Sequence, residues 1–481
     1  MPAPRLLYNS KNKILSEELF SDLNVDKLFS ENTLEILKCK CDSDEILRRQ
    51  EIFSGLFDLN SYSKVEKCFD TLKRFSKSYE LFRASQAVPE KLYLNKKLLL
   101  NYADSCAVLS GLDMEGTVFR SISKYFSRPE VLSLCENIRK DMAEVQSVFE
   151  NIDSFVITFS DKNWLTFDLV SRDSFDVITD YMKSMGFDTP EKRNVNLSFD
   201  SSLSEAFSKR FPNELKSIEE IFEKYESIDF SEIYSYIPEF EFYFEIYKLF
   251  KKAEVKRIPH CFPKLSENKI CKAEKLYDIS LLVKNPDVII PNDAYFTETE
   301  PFWFLTGANG GGKTTYLRAV GINLILFLSG CPIFAVSAEI YPFDKILSHF
   351  PKDERFDGVG RLDEEKLRAE ELFNIAENTV SFILFNETFS GTDDVLGYRY
   401  LLEAAERMKN DCHFGVYVTH FHQVTGTDFP TLSAVVDKSD ENRRTYKIMR
   451  NDISESSYAA DILKKYRLDK ESLKERLELN G

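Results

Sequence analysis

A chain of 481 residues with 43% hydrophobic residues, 40 Phe and 22 Tyr has the apolar content for roughly two to four folded domains, which excludes disorder over most of its length. Its net charge of −16 argues against a surface that attracts nucleic acid everywhere and leaves only local basic patches for that purpose. Nine scattered cysteines and the lack of a secretory signal argue against a disulfide framework and for the reducing cytoplasm. No apolar run reaches the roughly 18 residues of a membrane span.

Residues 1–43 form an N-terminal segment, in which Cys39 and Cys41 lack nearby partners for a zinc site and read as ordinary helix positions. Residues 44–56, 63–83, 90–109 and 129–150 carry helical periodicity with few breakers, predicting a helical body over 44–258. Within it, alternating runs at Phe155–Phe159, 164–170 and 195–199 predict a small β-containing insert over about 151–203. Lysines cluster at 64–97 and again as Lys248, Lys251, Lys252, Lys256 with Arg257; each patch reads as a solvated helix face or as a DNA contact. Pro259, Pro263, Pro286 and Pro291 then punctuate the chain, and a domain boundary is placed near Ile258. Beyond it, residues 259–481 alternate short β-like runs with helical patterns, as in an α/β nucleotide-binding domain.

Within that half, the apolar run 302–305 leads into Gly307, Ala308, Asn309, Gly310, Gly311, Gly312, Lys313 and Thr314, and then into Leu317, Val320, Leu324 and Phe327 at helical spacing. Strand, glycine-rich loop and helix in this order predict a phosphate-binding P-loop and hence ATP. Backbone N–H groups of the loop wrap phosphate oxygens, Lys313 reaches the terminal phosphates, and the Thr314 hydroxyl joins a Mg²⁺ shell. A second apolar run, 381–385, ends in Asn386 and Glu387. Asn386 stands where an aspartate would support Mg²⁺ and keeps only a neutral acceptor oxygen, while Glu387 is the candidate to polarise a water for attack on the γ-phosphate. A third run, 414–418, precedes Thr419 and His420, whose imidazole is suited to sensing the γ-phosphate. His260, His349, His413 and His422 carry no spacing that assigns them a role.

Taken together, TGANGGGKTTYLRAVG, GCPIFAVSAEIYPFDKILSHF, SFILFNETFSGTD and YVTHFHQVT resemble the ATPase domain of the MutS mismatch-repair family, itself related to ABC-type ATPases. The segment VIIPND is similar to the family's adenine-packing segment, which implies nucleotide contact at Ile289, and the loop's extension brings in Thr315. Where the family carries a signature segment reaching the other subunit's nucleotide, this chain reads Gly360, Arg361, Leu362, Asp363, Glu364, Glu365; Gly360 and Arg361 are the candidate trans contacts. ILRRQEIFSGLF and EFEFYF resemble the family's core and lever region. The resemblance implies an ABC-like α/β ATPase domain behind a helical core/lever domain, a homodimer joined through ATPase domains, and DNA as partner. Residues 1–43 leave no room for the family's mismatch-reading wedge, so a short form is expected, acting on mismatched, branched or structured DNA. A nucleotide-gated protein- or RNA-binding module with little ATP turnover is the alternative that Asn386 and the acidic balance leave open.

Overall fold

The structure is a computed structural model and describes residues 3–8, 14–57, 59–86, 88–113, 117–152, 155–159, 165–169, 208–209, 211–283, 289–352, 361–390, 394–436 and 444–450. In chain order its principal elements are α1 (Glu17–Asp22), α2 (Glu31–Leu37), α3 (Ser43–Leu56), α4 (Leu59–Ala84), α5 (Val88–Ser110), α6 (Thr117–Phe126), α7 (Pro129–Ile152), β1 (Phe155–Phe159), β2 (Leu165–Leu169), α8 (Pro212–Glu223), α9 (Ser231–Tyr234) and α10 (Tyr236–Val255). There follow β3 (Lys264–Leu265), β4 (Cys271–Leu276), β5 (Asn292–Phe296), β6 (Phe302–Thr306), α11 (Lys313–Leu328), β7 (Ser337–Ile340), β8 (Lys345–His349), α12 (Arg361–Ala376), β9 (Ser381–Asn386), α13 (Asp394–Asn410), β10 (Phe414–Val418), β11 (Thr431–Val436) and β12 (Arg444–Arg450). The helices expected over 44–56, 63–83, 90–109 and 129–150 are present as α3, α4, α5 and α7. The strand expected at 195–199 lies outside the described residues, as do residues 469–479, whose sequence reads as a short C-terminal helix.

The chain packs as two compact units, residues 1–7 with 54–244, and residues 8–53 with 245–481. These limits fall inside α3 and α10, rather than at residues 44 and 258.

The first unit is helical, with β1 and β2 as an antiparallel pair. Pro212 opens α8 at a position where a missing N–H costs no hydrogen bond, and Leu215, Ile218, Ile221 and Phe222 put one buried stripe on that helix. Its core is aromatic. Phe75, Tyr79, Tyr102 and Phe230 pack at centroid distances of 5.6 to 6.4 Å, beside Phe126 on Tyr236 at 5.9 Å.

The second unit holds a six-stranded sheet in the order β12-β11-β6-β10-β9-β8, with every neighbouring pair parallel except β11 with β12. A four-stranded sheet, β3-β7-β4-β5, accompanies it. Strand β9 is buried along its whole length, so its side chains serve both faces: Ile383 and Phe385 join Phe373 of α12 with Leu401 and Met408 of α13, while Leu384 points to α11.

Helix α11 corrects the single apolar stripe expected for it. Nearly every residue from Ala319 to Leu328 is buried, because the N-terminal segment covers the side that the sheet does not. Gly321 makes that possible: a Cβ there would stand 2.6 Å from Leu23 Cδ1 and 2.7 Å from Leu384 Cδ1, so α11 is clasped between the two. Asp22 closes the same contact, accepting from the Ser348 hydroxyl at 2.7 Å while its backbone oxygen accepts from Arg318 Nε at 3.0 Å.

Burial pushes the Asp22 carboxyl up from 3.8 to about 6, with the charge of Glu18 adding to the shift and the Ser348 bond opposing it. The unfolded chain releases this proton near the lower value, so the stability contributed is complete below it and is lost as pH rises through about 6. Asp22→Asn keeps an acceptor for Ser348 without the charge. Thermal unfolding of this variant is expected to have a midpoint about 2–4 °C higher at pH 8, for a solvent-discounted gain of about 1 kcal/mol, and an unchanged midpoint near pH 4. Equal midpoints at pH 8 would exclude a charge penalty at Asp22.

Candidate active site

Four strand ends converge on one edge of the six-stranded sheet. The glycine-rich loop leaves β6, Asn386 and Glu387 end β9, Thr419 and His420 follow β10, and β11 runs alongside β6 on its far side. In the loop, Gly307, Gly310 and Gly312 have φ of 118°, 71° and 95°, a backbone region that side chains disfavour. Between them the Gly311 N–H donates to Ala308 O at 3.1 Å. Alternating handedness of this kind turns successive N–H groups toward one concavity, which suits an anion. Nothing lies within 4 Å of where a Cβ on Gly310 would stand, whereas Gly307 and Gly311 press on Ala434 of β11, so the loop is tight underneath and open outward.

Lys313 opens α11 just past Gly312 and is buried. Its ammonium donates to Gly307 O at 2.8 Å, Ala308 O at 3.4 Å and Asn309 Oδ1 at 3.4 Å, curling back over the loop. Burial draws its pKa below the ordinary lysine value, opposed by the negative charge of Glu387. A desolvated ammonium beside a concave row of N–H groups fits phosphate oxygens. One residue on, the Thr314 hydroxyl donates to Asn386 Oδ1 at 3.2 Å; two neutral oxygens side by side fit a Mg²⁺ shell completed by phosphate and water, with no charge from the protein. Thr315 is half-buried in the first turn of α11.

Glu387 and His420 are brought together: His420 Nε2 donates to Glu387 Oε2 at 3.0 Å, with side-chain exposures of 39% and 30% that leave both open to solvent. The imidazole hydrogen bond holds the Glu387 carboxyl below the usual glutamate range, with the charge of Lys313 acting in the same sense against burial. Glu387 has φ 53° and Phe389 φ 61°, left-handed conformations that cost a non-glycine residue on the order of 1–3 kcal/mol. The Glu387 N–H is held by Val418 O at 2.8 Å, which ties this turn to the end of β10.

Ile289 is buried. The chain just after it is fastened to β12, through Asn292 Nδ2 on Tyr446 O at 3.0 Å and Lys447 Nζ on Pro291 O at 2.7 Å. Tyr446 in turn lies against Gly312, its Cδ1 3.5 Å from a Cβ position there, and Arg444 is close enough for its charge to act on Lys313. Nothing local in the sequence marks Tyr446 or Arg444 for this place; only the fold brings them to the loop, with Tyr446 at a left-handed φ of 57°. Gly360, the side chain of Arg361 and residues 391–393 lie outside the described residues. Among the described residues, no cluster of three or more His, Cys, Asp and Glu side chains is placed to hold a metal, and no helix is long and apolar enough to cross a membrane.

The class so defined is an α/β domain with a composite polar site at the carboxyl ends of its parallel strands. Residues 303–475 match MutS domain V, so in this stretch the chain is similar to the MutS family. It is 31% identical over 146 residues to the DNA mismatch repair protein msh-2 of Neurospora crassa, a match covering 30% of this chain and 16% of the relative. To the DNA mismatch repair protein MutS of Staphylococcus haemolyticus it is 28% identical over 184 residues, 37% of this chain and 21% of the relative. To the endonuclease MutS2 of Streptococcus suis it is 25% identical over 203 residues, 40% and 26%. The matched stretch thus spans about a quarter or less of these relatives' own length.

Proposed function

We propose that this chain binds ATP and Mg²⁺ at the loop of residues 307–315 and acts as an ATP-dependent DNA-binding protein of the mismatch-repair family, engaging mismatched, branched or structured DNA. The observation that carries the reading is the Glu387–His420 pair standing at the strand ends beside the Lys313 loop. In this reading residues 259–481 are an ABC-like P-loop ATPase domain, residues 44–258 are the helical core and lever, and Ile289 packs on the base. Two chains meet through their ATPase domains, with Gly360 and Arg361 reaching the partner's nucleotide. Bound ATP·Mg²⁺ supplies the transferable phosphoryl group and a divalent charge that offsets its oxygens. Lys313 and the loop N–H groups hold the phosphate oxygens, Glu387 Oε takes a proton from the attacking water, and His420 Nε2 holds that carboxylate ionised and aimed.

Asn386 makes this hydrolysis slow, because its neutral oxygen holds the metal less firmly than a carboxylate does. Asn386→Asp is expected to tighten the Mg²⁺ requirement for ATP turnover by about tenfold, the effect of roughly 1.4 kcal/mol. A Mg²⁺ titration of steady-state turnover reads it directly; an unchanged midpoint would remove Asn386 from the metal shell.

The second reading, a nucleotide-gated module that grips a protein or RNA and turns over little ATP, is favoured by the net charge of −16 and by Asn386. Salt separates the duplex-DNA reading from a grip on protein. Affinity for duplex or four-way-junction DNA should fall steeply between 50 and 200 mM salt by counterion release, about 10³-fold where six phosphates are contacted. Flat salt dependence, or no DNA affinity with or without ATP, would turn the reading to the second.

A further inference from the structure

The turn that presents Glu387 is held from behind by a buried polar network. Thr388 and Phe389 follow Glu387 directly, and four elements grip them. The Phe389 N–H donates to Glu365 Oε2 of α12 at 2.7 Å. The Thr388 carbonyl accepts from the Tyr417 hydroxyl of β10 at 2.9 Å. The Thr388 hydroxyl pairs with His349 Nδ1 at the end of β8 at 3.0 Å. On the remaining side Gly397 of α13 lies so close to the Phe389 carbonyl that a Cβ there would collide with it.

The partners assign the His349 tautomer. His349 Nε2 faces the Glu365 backbone carbonyl at 3.2 Å, which can only accept, so Nε2 carries the hydrogen; the neutral ring then offers Nδ1 to the Thr388 hydroxyl, which also lies 3.4 Å from the His349 carbonyl. Burial lowers the His349 pKa to about 4, consistent with that neutral tautomer. Glu365, His349, Thr388 and Tyr417 are all buried, so a lost partner is not replaced by water.

We infer that Glu365 is the positioning residue for Glu387: its buried carboxylate on the Phe389 N–H, backed by His349 on Thr388, holds the left-handed turn that aims Glu387 at His420. A carboxylate is suited to this because its charge strengthens the bond from the Phe389 N–H in a dry site. Nothing in the chemistry requires Glu365 to touch nucleotide. Glu365 sits in the first turns of α12, four residues after Arg361 at its start.

The inference rests on the proposed role of Glu387 in ATP hydrolysis, and its test has one arm that needs no turnover. In the full-length protein, Glu365→Ala is expected to lower kcat about 10- to 100-fold, the penalty of a misplaced reacting group, with Kd for a fluorescent ATP analogue changed by less than about threefold. Glu365→Gln keeps an oxygen for the Phe389 N–H and is expected to retain kcat within about threefold of wild type. Hydrogen exchange over 384–390 should accelerate in the alanine variant and not in the glutamine variant. Gly397→Ala, which pushes the same turn from the opposite side, should reproduce the split between kcat and Kd if Glu365→Ala fails to fold. Equal kcat and equal exchange in Glu365→Ala and wild type would overturn the inference, as would a glutamine variant as impaired as the alanine one. Wild-type protein without turnover would sink the hydrolytic role of Glu387 instead, and the exchange arm would still decide whether Glu365 holds the turn.

Discussion

Lys313→Ala is expected to weaken nucleotide binding about 100-fold, the loss of charge-assisted hydrogen bonds worth on the order of 3 kcal/mol. In the structure the ammonium spends its bonds on Gly307 O, Ala308 O and Asn309 Oδ1, within the same loop whose N–H groups it would share with phosphate. Its environment is dry and its pKa is already lowered, so a dianionic phosphate is the partner that restores full charge most effectively. Removing the side chain leaves the loop glycines in place. Titration of a fluorescent ATP analogue measures the effect; an affinity within about twofold of wild type would deny Lys313 a phosphate contact.

Glu387→Gln is expected to lower the turnover number by about 100- to 10,000-fold while leaving nucleotide affinity nearly unchanged, the mark of a group needed for proton transfer rather than for binding. Glutamine keeps the size and the acceptor oxygen for His420 Nε2, so the turn and the pair survive in outline; what is lost is the base. Single-turnover kinetics separate chemistry from product release. A variant that hydrolyses ATP at the wild-type rate would assign the water to some other group. The same variant should hold ATP long enough for its effect on DNA affinity to be measured without decay of the nucleotide.

Much of this site was legible because its signals are local. A strand, a glycine loop with left-handed positions and a helix start occupy about 25 consecutive residues, and the polar residues after 381–385 and 414–418 are announced by buried runs that end abruptly. The pairing of Glu387 with His420 follows once β9 and β10 are neighbours, since both residues stand just past the ends of adjacent parallel strands. His349 and Glu365 were not legible. Their partner, the 388–389 turn, is 39 and 24 residues away in sequence, and a histidine at a strand end carries no periodic signature of what it will meet. The same holds for Tyr446 against Gly312, and for Leu23, whose contact with Gly321 changes α11 from an amphipathic surface helix into one buried on all sides. Hydrophobic period reports which residues seek a core; it does not report which distant segment will supply the cover.

The central claim is that ATP turnover at this site is coupled to DNA. The most direct measurement is steady-state ATP hydrolysis by the purified full-length protein, alone and with duplex, mismatched and four-way-junction DNA, beside Glu387→Gln. The account predicts slow hydrolysis that at least one of these DNAs changes and that Glu387→Gln removes. Tight ATP binding with no response to any DNA, and turnover appearing only in Asn386→Asp, would contradict it.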